Sequence, residues 1–65
     1  FRMLHASDGY VYAIAKRAIL RYDIKTNKIE KLFDIEAEPY VDFVIEDKDK
    51  RIFFAINQYV YELKK

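Results

Sequence analysis

The sequence predicts an all-β fold, an antiparallel meander of about seven short strands. Three observations point there. The apolar runs are four to eight residues long and rich in aromatic and β-branched residues. Turn-type or charged residues separate them, and "YAIAKRAILRY", whose residues favour helix, lacks the polar face that an amphipathic helix needs.

Taken in order, "FRML" opens the chain, and "HASDG", with its Gly9, breaks it before the strand "YVYAIA". Ala, Ile, Lys, Arg and Leu in "YAIAKRAILRY" favour helix by propensity. On a helical wheel, however, Tyr10, Tyr12, Ile14, Ile19, Leu20 and Tyr22 point nearly all round, whereas two strands bent at Lys16-Arg17 form a hairpin. In "RYDIKTNKIEKL", Asp23 can accept backbone N–H groups in an Asx turn, and Lys25 and Thr26 fit a type I turn. Asn27, one of the few non-glycine residues that tolerate positive φ, then returns the chain to pairing. "KIEKLFDI" follows, and "EAEP" with the single proline, Pro39, breaks it from "YVDFVI". The charged turn "EDKDK" leads into "RIFFAI", and "YVYEL" closes the series.

Displacing the chain by 41 positions lays strand on strand and turn on turn. Met3 and Leu4 fall on Val44 and Ile45, Asp8 on Asp49, Val11 and Tyr12 on Ile52 and Phe53, Ile19 on Val60, and Tyr22 on Leu63. The expected organisation is a four-stranded unit over residues 1–41 and an incomplete three-stranded unit over residues 42–65. About 40 to 45 residues holding four short strands is the period of a β-propeller blade. "DGYVY", the strand ending "YD", and "TNK" before another strand resemble blades of the YVTN, quinoprotein-like and kelch kinds. The chain lacks Trp and any Gly-Gly pair, so it departs from the Trp-Asp and kelch signatures. The resemblance implies about one and a half blades. Inner strands apolar on both faces, as in "YVYAIA" and "RIFFAI", and a mixed outer strand carrying Lys28, Glu30, Lys31 and Asp34 agree with that reading.

Twelve Lys plus Arg against eleven Asp plus Glu give a formal charge of +1, so no bulk field attracts nucleic acid or an anionic membrane. There is no Cys, which excludes disulfides and Cys-ligated zinc and fits a reducing compartment. No apolar run approaches a membrane span and no signal-peptide pattern is visible, so the expectation is a soluble protein, with a cytoplasmic location favoured over an exported one. Plentiful Ile, Lys and Glu, with one Gln and two Asn, resemble the balance of proteins from hot environments. The Phe1 start suggests a fragment or a processed product.

Little in the sequence offers chemistry. A lone His5 cannot make a metal site, and Ser7 and Asp8 beside it read as turn residues. Asp47 and Asp49 begin like a calcium loop, but Ile52 and Gln58 occupy the positions where Gly and Glu belong. Ser7 lacks the setting of an elbow nucleophile, and there is no Gly-rich phosphate loop. No catalytic, cofactor-binding or metal-ligating residue is assigned, and no cofactor is expected. Aromatics interleaved with Arg and Lys could stack on single-stranded nucleic acid, but on a blade they are core residues. The expected surface is an interface through Tyr10, Tyr12, Phe53, Phe54, Tyr59 and Tyr61. The function expected is a scaffold or protein-binding element that associates with a protein partner or with itself through blade faces and the free edge strand. The alternatives are a fragment of a lactonase-like or dehydrogenase-like propeller enzyme and a small β-barrel that binds nucleic acid.

Overall fold

Seven antiparallel strands make up the regular structure, and no helix occurs among the described residues. The computed structural model describes residues 2–36 and 38–64. Phe1 and Ala37, within the predicted "FRML" strand and the "EAEP" break, lie outside them. Strands β1 (Arg2–His5), β2 (Tyr10–Ile14), β3 (Ala18–Asp23) and β4 (Lys28–Asp34) form one sheet in sequence order. Strands β5 (Asp42–Glu46), β6 (Ile52–Ile56) and β7 (Tyr59–Glu62) form a second.

The β3–β4 turn has a visible cause. Asn27 has φ of 59° and donates its N–H to the Asp23 carbonyl at 2.8 Å, while Asp23 Oδ1 accepts the Lys25 N–H at 3.0 Å. Tyr22 adds a hydroxyl hydrogen bond to the Asn27 side-chain oxygen. Asn27→Val should therefore cost about 1–2 kcal/mol, because a branched Cβ crowds the following carbonyl in this region. Asn27→Gly should be near neutral, the easier φ offsetting the loss of an exposed hydrogen bond. Urea titration checks both, and equal stabilities for the Val variant and the parent would contradict the assignment.

The β1–β2 and β5–β6 turns share one pattern. Ala6 and Gly9 N–H groups donate to the Tyr10 and Ala6 carbonyls; Asp47 and Lys50 N–H groups donate to the Arg51 and Asp47 carbonyls. Gly9 (φ 93°) and Lys50 (φ 65°) are both left-handed. The strand registers coincide in the same way: Met3 pairs with Ala13 and Ala13 with Leu20, as Val44 pairs with Phe54 and Phe54 with Tyr61, every partner displaced by 41.

The core lies between the sheets, where β5 packs against β1 and β2. Tyr12, Ile14, Ile19, Ile52 and Phe54 are its largest fully buried side chains. Tyr12 and Phe54 meet edge to face at 6.1 Å, and Phe33 reaches Phe54 at 6.2 Å, separations at which aromatic pairs add to area burial. A register shift between Ile19 and Leu20 in the β3–β4 pairing skips Leu32, so successive residues Leu32 and Phe33 both pack on the core.

One expectation about the interface residues is corrected here. An apolar face containing Tyr10, Tyr12, Phe53 and Phe54 together, left without cover, does not exist. Tyr12 and Phe54 cover each other and Tyr10 packs beside them, while Phe53 is half-buried on the opposite face of β6. Successive residues of a strand point to opposite faces, so Phe53 and Phe54 cannot share one.

Candidate functional site

Two polar constellations sit at the ends of the strands. In the first, the β1–β2 turn holds Asp8 so that Oδ1 accepts the Tyr10 N–H at 2.9 Å and Oδ2 accepts the Tyr12 hydroxyl at 2.7 Å. Arg21, opposite Tyr12 on β3, places its guanidinium 4.6 Å from the Tyr10 ring centre and pairs with Glu30 at 2.6 Å. Burial, reinforced by the bond to Asp8, pushes the Tyr12 phenol up to about 12, against a partial offset from Arg21. A phenol held neutral in this way is a structural hydrogen-bond donor rather than a base.

In the second, Asp47 Oδ1 accepts the N–H groups of Asp49 and Arg51 at 2.9 and 2.8 Å, and Oδ2 accepts Arg51 Nε at 2.8 Å. The Arg51 backbone donor above all, with the guanidinium second among the favourable contacts, holds this carboxyl below its usual range. The Asp47 bonds therefore contribute most above the ordinary carboxylate range and are lost as pH falls through the lowered value. Arg51→Ala should leave most of the depression in place, because the backbone donor remains. A carbon-detected NMR titration reads this directly, and a return to the ordinary range would assign the effect to the guanidinium instead. Asp49 lies 3.8 Å from Arg51, and the described residues contain no group of three or more His, Asp or Glu placed to hold a metal ion. His5 is exposed at the end of β1.

A third feature joins the sheets. The Ser7 N–H donates to Glu46 Oε1 at 3.0 Å, and the Ser7 hydroxyl donates to the same carboxylate, tying the β1–β2 turn to the end of β5. At the other end, Asn57 (φ 56°) donates its N–H to the Val41 carbonyl, and its side-chain oxygen accepts the N–H groups of Tyr40 and Val41, anchoring the connection into β5.

Of the expected interface residues, Tyr59 and Tyr61 are exposed on β7 and line an open cleft of about 400 Å³ with Phe33, Ile35, Ile56 and Asn57. Phe53 lies on the outer face of the second sheet, Tyr10 at the rim, and Tyr12 and Phe54 between the sheets. The expected association through blade faces names only Phe53 among the residues on the outer faces of the two sheets. The first presents Met3, Val11, Ala13, Leu20 and Tyr22; the second presents Phe43, Ile45, Phe53, Ala55 and Val60. The period-2 alternation carried the signal, because β2 and β6 are apolar at consecutive positions and so on both faces. No protein-family model, curated protein or solved structure matches this chain. No helix among the described residues is long and apolar enough to cross a membrane.

Proposed function

We propose that the chain is a non-catalytic scaffold or protein-binding element of β-propeller type, part of a larger protein or assembly. It engages protein through the outer faces of its sheets and the outer edge of β7. One observation carries this reading: both sheets are apolar on their outer as well as their inner faces. Met3, Ile45 and Val60 are among the exposed large hydrophobics, and surfaces of this kind mark interaction sites. The outer edge of β7, which pairs only with β6 among the described strands, offers backbone groups to an added strand. The shared register of the two sheets supports the blade reading.

Selection of displayed peptides against the immobilised chain tests it, with the footprint read by amide NMR. Binders should perturb Phe43, Ile45, Val60 and the β7 edge, and lose affinity for Val60→Glu. In parallel, single-stranded oligonucleotides at low salt and a panel of lactone and ester substrates should leave the chain unperturbed and the substrates intact. Salt-dependent oligonucleotide binding, or turnover, with no peptide bound at these faces would overturn the proposal.

A further inference from the structure

The two sheets do not pack by like faces. The first turns inward the face carrying Leu4, Tyr12, Ile14 and Ile19, and the residues displaced from these by 41 are Ile45, Phe53, Ala55 and Val60, all on the outer face of the second. The second sheet turns inward Val44, Ile52, Phe54, Tyr61 and Leu63, whose equivalents Met3, Val11, Ala13, Leu20 and Tyr22 form the outer face of the first. Contact between sheets is therefore head to tail, between unlike faces. It leaves one unused face of each kind, apolar at the positions named and bordered by His5 and Lys31 on the first sheet and by Glu62 on the second.

From this we infer that a second copy of this chain covers the outer face of β5–β7. It does so with the outer face of its own β1–β4 sheet, in the relation that the two sheets already have within one chain. The inference rests on the protein-binding reading above and names the partner. An interface between unlike faces propagates: it closes into a ring if the rotation permits and otherwise continues as a filament, but it does not stop at a two-fold dimer. Shape favours the contact, because Phe53 of one copy has the position of Tyr12, and Ala13 of the next offers a shallow site where the internal contact has Phe54. The Ser7–Glu46 clamp is not reproduced, since the equivalent positions are Lys48 and His5. The contact between copies is thus weaker than that between sheets, and assembly depends on concentration.

Two surface variants test the direction of assembly. Val60 and Met3 are 69% and 64% exposed, so Val60→Glu and Met3→Glu alter opposite outer faces without touching the core. By sedimentation velocity from low micromolar to near-millimolar concentration, the parent should grow from 7.9 kDa to species beyond the dimer. Each variant alone should associate at least about tenfold more weakly. Mixed in equal amounts, they should form a heterodimer and no larger species, because each retains the face that the other has lost. Circular dichroism matching the parent's confirms that both are folded, and Ile45→Lys and Leu20→Lys replace either one that is not. A parent that stays monomeric throughout would overturn the inference even if displayed peptides bind. Assembly that halts at a dimer and survives Met3→Glu would show a two-fold contact through β5–β7 and also overturn it. Parent association with no heterodimer in the mixture counts against it equally.

Discussion

Phe54→Ala should leave a chain without a cooperative unfolding transition at room temperature, while Phe53→Ala, one residue away, should stay folded. Phe54 is 0% exposed and touches Tyr12 and Phe33 edge to face, so truncation removes its transfer energy and both ring contacts and leaves a cavity between the sheets. Such a change costs about 3–5 kcal/mol. A domain of this size has about 3–10 kcal/mol in total at usual stability per residue, and small domains lie toward the lower end. Phe53 is half-buried on the outer face, where Arg51 lies 5.7 Å from its ring centre, and its truncation should cost about 1 kcal/mol. Thermal and urea melts followed by near-ultraviolet circular dichroism separate the two. Equal losses would mean that the sheets do not pack through the face assigned here.

Raising the pH should unfold the chain in a window set by Tyr12. Its phenol has a pKa near 10 when exposed and about 12 in the fold, where burial and the bond to Asp8 disfavour the phenolate. The neutral form is thus bound more strongly by the native state. Its contribution is complete below about pH 10 and is lost progressively as pH rises through the folded value near 12. Two units correspond to about 2–3 kcal/mol. Tyr12→Phe should lower stability at neutral pH by about 1 kcal/mol through the lost hydrogen bond, and it should flatten the decline between pH 10 and 12. Urea midpoints across that range provide the measurement. A Phe variant whose stability still falls as steeply as the parent's would place the alkaline sensitivity in another group.

The strands and their main turns were legible in the sequence because their causes are local. Run length, β-branched and aromatic residues, Gly9, the Asp23 side chain and the left-handed tolerance of Asn27 act within a few residues, and each element stands where those signals put it. Asn57 carried the same kind of signal between "RIFFAI" and "YVYEL" and was passed over. Lys50 carried none of its own, since lysine has no preference for positive φ; the charged run marks the turn, and only the alignment with Gly9 marks the left-handed position.

Local signals suffice for an all-β chain of seven short antiparallel strands with the Asn27 hairpin in place. Which face of each sheet turns inward was decided only by tertiary structure. Alternation assigns Phe53 and Phe54 to opposite faces but cannot rank two faces that are both apolar. The choice falls to contacts between residues far apart in the chain, Tyr12 against Phe54 and the Ser7 N–H on Glu46. The two exposed apolar faces follow from that choice, because they are the faces that the sheets do not turn toward each other.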